Sequence, residues 1–356
     1  MSLPDNEQRT AAGHRPSDLE ETSNSTGRSW CLPISRGAAR QCCVAGVIAL
    51  LAPGQGSQTP GMLAPWLDDP AAEQLVASWS DAISLDLRRL GTEASAEEIT
   101  DTAVTQPLVV ATALLAASRL ADKAPLPVDA PVAGHSVGEL AASALAGVLS
   151  ADAAVRLAAV RGREMAAACA VQPTGMSAVL GGRPEEVLAA LEALGLDPAN
   201  VNGAGQVVAA GPVDALDALA AEPPERTRVK RLPVAGAFHT RFMAPAENAL
   251  RAHAADLAPA DPTRPLLSNA DGAVLTAGAE VLRRLVAQVT RPVRWDLCMA
   301  TLRELGVTAV LELPPAGALV GLVKRDLKGT ATLAVKTPDD LDAAVELIHE
   351  HAGAAR

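Results

Sequence analysis

The 356 residues predict an α/β fold, a hydrolase-like parallel-sheet domain with an inserted ferredoxin-like α+β subdomain. Three observations carry this. Short apolar runs rich in Val, Leu and Ala alternate with helix-forming runs along most of the chain, the order expected of a sheet with covering helices. The step Gly134-His135-Ser136-Val137-Gly138 joins one apolar run to a helix, the strand–turn–helix context of a hydrolase-like elbow. Residues 175–236 read β-α-β-β-α-β, the ferredoxin-like order, and αβ material resumes after them. The expected division is a large domain over 46–174 and 237–340, with the subdomain at 175–236 between its halves.

Taken in order, residues 1–45 are polar, Ser/Gly/Arg-mixed and aperiodic, and they read as a disordered extension. Arg36 and Arg40 before CCVAGVIALLA imitate a secretion signal, but no small-residue cleavage site with a polar follow-on appears. VIALLA is read instead as a buried first strand ending at the Gly-rich loop PGQGSQ. PLVVATALLAASRLA is a helix, and APVAGH is a short buried strand that launches the helix SVGELAASALAGVLS. Ser150 is placed to cap the next helix. In the insert, MSAVLGG is a strand, and RPEEVLAALEALG is a helix with Pro184 near its start and Gly195 at its end. ANVNG and QVVAAG are strands around a Gly turn, PVDALDALAAE is a helix and RVKRLPV is the last strand. PLLSNADG, AEVLRRLVAQV, MATLRELG and TAVLELP then continue the alternation. No repeat and no long linker interrupts it, and no further apolar stretch reads as long and uncharged enough to span a bilayer.

Composition narrows the function classes. Hydrophobic residues are 49% and aromatics 2%, so the core rests on Leu, Val and Ala. A net charge of -11 disfavours general nucleic-acid binding, which requires phosphate neutralisation. The five cysteines, Cys31, Cys42, Cys43, Cys169 and Cys298, are odd in number and form no CxxC pair. They indicate neither a disulfide framework nor a zinc site, and fit reduced thiols in a cytoplasmic protein.

In the elbow, small residues at Gly134 and Gly138 let the turn pack, Ser136 projects at a helix N-terminus, and the Val137 N–H points where an oxyanion develops. A turn serine with no chemical role remains the alternative. A nucleophilic hydroxyl needs a base. Of the six histidines, His14, His349 and His351 lie near the chain ends. His135 leaves the elbow in another direction, and His253 sits in an exposed Ala-rich run. His239, in VAGAFHTRF where the insert rejoins the large domain, is best placed.

PGQGSQ, GHSVGE, RGREM, NVNGAGQVVAAG, GAFH and SNADG occur in the order and spacing of malonyl-CoA:acyl-carrier-protein transacylases, which the sequence resembles over about residues 46–330, especially their actinobacterial versions. The resemblance implies Ser136 as nucleophile and His239 as base, the latter oriented by a main-chain carbonyl from Gln288. It implies backbone N–H groups of Gln55 and Val137 as the oxyanion hole. Arg161 clamps the malonyl carboxylate, a role that its planar fork suits. Asn202 supports from a subdomain loop facing the cleft. Phe238 before the base, together with Val137, implies a preference for malonyl over methylmalonyl, because a ring there crowds an α-methyl branch.

It further implies malonyl-CoA as donor, holo acyl carrier protein as partner, no prosthetic group, no metal, no nucleic-acid or membrane partner, and a monomer. The acidic carrier must overcome a repulsive global charge, and Arg226, Arg228, Lys230, Arg231 and Arg241 are the candidate docking patch. Leu313-Pro314-Pro315 departs from the usual Gly-Pro-Gly pattern and is expected to alter a turn outside the chemistry. A polyketide or specialised-lipid transacylase, a serine acyl hydrolase and a noncatalytic carrier-binding protein are the rival readings.

Overall fold

The computed structural model describes residues 46–352, so the expected extension at 1–45, with Cys31, Cys42 and Cys43, lies outside the described residues. VIALLA forms β1 (Val47–Ala52), and α1 (Pro70–Ile83), α2 (Leu87–Thr92) and α3 (Thr102–Lys123) follow. Asp69 and Asp101 cap α1 and α3, accepting from Ala71 N at 2.9 Å and Ala103 N at 2.8 Å. The elbow strand is β2 (Val132–Gly134), and α4 (Gly138–Leu145) leaves it. Ser150 caps α5 (Ala151–Cys169), accepting from Ala153 N at 3.1 Å. β3 (Thr174–Gly181), α6 (Pro184–Ala193), β4 (Asp197–Gly203), β5 (Gln206–Pro212), α7 (Val213–Ala221) and β6 (Thr227–Arg231) come next. The chain then runs through α8 (Ala244–Ala254), β7 (Leu266–Leu267), β8 (Val274–Leu275), α9 (Gly278–Ala287), β9 (Val293–Arg294), α10 (Trp295–Glu304), β10 (Val307–Glu312), α11 (Ala318–Asp326), β11 (Ala331–Ala334) and α12 (Leu341–His351).

These strands make two sheets. The larger has the order β11-β10-β1-β2-β7-β8, parallel except for the β7–β8 pair. β1 lies inside it and is apolar on both faces, as a covered parallel strand must be. Ile48, Leu50 and Ala52 enter one core, and Ala49 and Leu51 the other. The smaller sheet has the order β6-β3-β5-β4-β9. Its first four strands are antiparallel neighbours, as a βαββαβ unit requires, with a core of Val179, Leu191, Val207 and Leu216.

Three features differ from the sequence reading. β9, from the chain of the larger part, joins the smaller sheet parallel to β4. The main core continues past residue 340, since Leu341, Ala344 and Ile348 of α12 are buried in it. And α3 is by length and composition apolar enough to cross a membrane, but 78% of its most apolar window is buried inside the protein, largely against α5 and α4.

Leu313-Pro314-Pro315 lies between β10 and α11, and none of the three lines the cleft. The buried carboxylate of Glu312 accepts from the N–H groups of Gly317 (3.0 Å), Leu319 (3.0 Å) and Val320 (2.8 Å), fixing the start of α11. Leu319, Leu322 and Arg325 of that helix wall the main cleft.

Candidate active site

Ser136 stands where β2 meets α4, with φ +54, a left-handed conformation rare for a serine. The turn is tight enough to demand both glycines. A Cβ on Gly134 would fall 2.0 Å from the carbonyl carbon of Gly138, and one on Gly138 would fall 2.3 Å from the Ala52 oxygen. The Ser136 N–H donates to Asn269 Oδ1 at 2.8 Å, and Asn269 Nδ2 donates to the Gly134 oxygen at 2.8 Å, so one side chain ties both ends of the elbow.

His239 reaches the serine from the segment after β6. Its Nε2 is 2.7 Å from Ser136 Oγ, and its Nδ1 is 2.8 Å from the Gln288 carbonyl oxygen. A carbonyl only accepts, so Nδ1 carries the proton and Nε2 is free to receive one from the hydroxyl. The His239 N–H donates to the Val289 oxygen at 3.0 Å, holding its backbone at φ +62. Burial, then the Arg161 charge, depresses its pKa to about 3.

Arg161 comes from α5 and is 2% exposed. Its Nη2 donates to Ser136 Oγ at 3.2 Å and to Gln288 Oε1 at 2.9 Å, and its Nη1 donates to Gln106 Oε1 at 2.7 Å. Its buried Nε–H has no partner among the described residues. With the second Nη1 hydrogen, the guanidinium keeps two donors unspent. Burial lowers its pKa to about 10, which leaves it charged at neutral pH.

The remaining expected residues gather at the same place. Gln55 lines the cleft, its Nε2 donating to Thr102 Oγ1 at 3.3 Å. The Gln55 and Val137 N–H groups have no acceptor among the described residues. Phe238 and Asn202 are 6% exposed and line a cleft of about 480 Å³ with Ser136, Arg161 and His239. Asn202 sits on β4 rather than in a loop, and its Oδ1 is 2.9 Å from His135 Nε2. His135, whose ring meets Trp295 edge-on at 5.5 Å, therefore links the elbow to the smaller sheet. The docking patch is less cationic than its sequence, because Arg231 pairs with Asp217 and Arg241 with Asp197.

Three residues escaped the sequence reading. Gln106 holds Arg161, Asn269 holds the elbow, and buried Glu139 accepts from Asn269 N at 2.5 Å and from Gln288 Nε2. Glu139 and Asn269 lie inside GHSVGE and SNADG. A lone acid in the apolar run GELAASAL was the available signal for the first.

Comparison with known proteins identifies the family. Residues 50–350 match the acyl transferase domain family. The malonyl CoA-acyl carrier protein transacylase of Mycobacterium tuberculosis is 61% identical over 302 residues, covering 85% of this chain and all of that protein. Its crystal structure superposes with a TM-score of 0.81 over 84% of this chain and 99% of the other. A malonyl-transacylase in complex with a type II polyketide acyl-carrier protein superposes at 0.79 with 31% identity, over 85% of this chain and all of that one. The chain belongs to the malonyl CoA-acyl carrier protein transacylase family, within the acyl transferase domain proteins.

Proposed function

We propose that this protein moves malonyl from malonyl-CoA to the phosphopantetheine thiol of acyl carrier protein, for fatty-acid synthesis, through a malonyl ester on Ser136. One observation carries the choice of cargo, a buried Arg161 guanidinium whose Nη2 lies 3.2 Å from Ser136 Oγ and whose Nε–H has no partner among the described residues. An acyl group ending in a carboxylate accepts hydrogen bonds from that guanidinium. A plain acyl chain leaves it facing apolar atoms.

His239 takes the hydroxyl proton as Ser136 Oγ attacks the thioester carbon. The N–H groups of Gln55 and Val137 receive the oxyanion, each contributing ~3–4 kcal/mol in the transition state. The C–S bond breaks, and the imidazolium returns its proton to the departing CoA thiolate. The carrier thiol then gives its proton to His239, attacks the ester, and Ser136 leaves reprotonated. The Gln288 carbonyl keeps the ring in the required tautomer throughout. A main-chain carbonyl behind the base, in place of a carboxylate, departs from the serine–acid–histidine arrangement that the hydrolase reading requires. Phe238 narrows the cleft against an α-methyl branch. No prosthetic group enters the scheme, and we place the protein in the cytoplasm as a monomer. The unit at 175–236 covers the cleft, and the carrier docks along Arg228 and Lys230.

Intact-mass analysis after mixing with malonyl-CoA tests the covalent route. A malonyl increment that passes to holo carrier protein, and is absent from Ser136→Ala, is expected. Product formation with no increment at any time contradicts it.

A further inference from the structure

The geometry points to a use for Glu139 that the transfer scheme leaves unassigned. We propose that Glu139 is the resident counter-anion of Arg161, acting through the Gln288 amide, and that it takes up a proton when a malonyl carboxylate settles on that guanidinium. The inference rests on the reading that Arg161 receives the malonyl carboxylate.

The contacts form a continuous chain. Arg161 Nη2 donates to Gln288 Oε1 at 2.9 Å, and Gln288 Nε2 donates to Glu139 Oε2. The amide thus has its oxygen toward the cation and its NH2 toward the acid, the orientation that two opposite charges impose. Glu139 is 5% exposed and does not line the substrate cleft. Its other oxygen accepts from Asn269 N at 2.5 Å.

The groups facing it from neighbouring elements are few. α5 supplies Arg161 and α9 supplies Arg284. The turn after α9 supplies Gln288 and, at its outer end, Arg291. The segment after β7 supplies the Asn269 N–H and Asp271, and α10 supplies the buried thiol of Cys298. Arg284 is already committed to Asp271 and Glu280, both at 2.6 Å. At pH 8 and above, where about half or more of Glu139 is ionised, Arg161 and Glu139 of the free protein are therefore each other's buried partner of opposite charge.

A malonyl carboxylate changes that balance. Two anions on one buried cation leave a net negative charge out of water, which costs several kcal/mol. Protonating the anion farther from the guanidinium removes the excess. A route for that proton exists, since a second cavity of about 240 Å³ lies behind the site with Glu139 and Gln288 on its wall. Its rim carries the exposed residues Ala270, Asp271, Arg283 and Arg291, so it reaches solvent away from the substrate cleft. Burial, opposed by Asn269, Arg161 and Gln288, sets the Glu139 pKa at about 8, within range of a modest rise. A further rise on binding gives a net proton uptake that is largest at pH values near and just above the pKa of the free group.

The experiment is calorimetric titration of Ser136→Ala with malonyl-CoA at pH 8, in two buffers of different ionisation heat. No thiol is released there, so proton exchange reports the protein alone. The expected result, with the titration repeated at pH 7 and 9, is net proton uptake with malonyl-CoA at one or more of these pH values, none with acetyl-CoA, and none in Ser136→Ala/Glu139→Gln. Malonyl-CoA binding without uptake overturns the proposal, as does equal uptake with acetyl-CoA or undiminished uptake in the double variant, which would move the proton to His239. The acetyl-CoA comparison decides the matter even if the double variant fails to fold. Failure of the underlying reading looks different, with the two CoA esters binding Ser136→Ala equally well.

Discussion

At the scale of single residues, the site is governed by what burial does to charge. His239 has a folded pKa of about 3, below its ordinary 6.5, because burial and the nearby Arg161 cation both disfavour imidazolium. Its base form therefore persists well below pH 6.5. We expect kcat/KM for malonyl loading, which reports the free enzyme, to change less than about threefold between pH 7 and 5 on account of this group. Rapid-quench loading rates check it, and a tenfold fall per unit beginning at pH 6.5 contradicts it. The same shift has a stability consequence of definite sign. Between pH 6.5 and 3 the unfolded chain binds a proton that the folded one refuses. Stability is therefore lost as pH falls through that window, by up to ~1.4 kcal/mol per unit from this residue. Arg161→Ala should lose malonyl-CoA loading by about 10–100-fold more than acetyl-CoA loading, the worth of charged hydrogen bonds. Equal losses for the two esters would remove the clamp.

The serine, its base and the arginine were legible in the sequence because each sits in a short motif with its own spacing. Glu139, Asn269 and Gln106 were not. Their value lies in contacts across 130, 133 and 55 residues of chain, which no local pattern records.

At the scale of elements, the strand–turn–helix junction is the most constrained piece of backbone. The Gly138 site leaves no room for a methyl, since the nearest atoms are the Ala52 and Pro53 carbonyl oxygens rather than a movable side chain. Gly138→Ala should therefore lower stability by about 3 kcal/mol and reduce loading further by displacing Ser136. Thermal melts and single-turnover loading read the two effects, and an unchanged melting temperature with full activity would show that the turn tolerates a wider path. Helix starts were read well where a side chain announces them, as Ser150 does for α5. Lengths were read less well. The run after the elbow gives only α4, Gly138–Leu145, because Gly147 takes φ +75 and turns the chain. β7 falls in PLLSNADG as read, whereas the two-residue strands β8 and β9 carry no propensity signal long enough to detect.

At the scale of the whole molecule, the cleft is walled by both sheets and by α11. Arg325 of α11 donates to Gln206 of β5 at 3.1 Å across it. The alternation and the βαββαβ pattern anticipate two sheets, but neither the strand order of the larger sheet nor the pairing of β9 with β4, whose partners lie about 90 residues apart, is written in a local pattern. On the outer edge of that sheet, β6 exposes Arg228 and Lys230, which have no ion-pair partner among the described residues. Cationic edges also discourage strand-to-strand aggregation, so charge alone does not make a docking surface. Reversing both to Glu should raise the KM for carrier protein roughly tenfold at low salt while leaving loading from malonyl-CoA unchanged. An unchanged KM assigns them to edge protection only.

The seven residues from Gln288 to Arg294 hold two posts at once. Their first carbonyl steadies the imidazole, and their last two residues are the border strand of the smaller sheet. Any rocking of that sheet, as a bulky thiol-bearing arm enters or departs, pulls on the same short tether that aims the proton acceptor. The width of the entrance and the aim of the imidazole are thus coupled through one short segment.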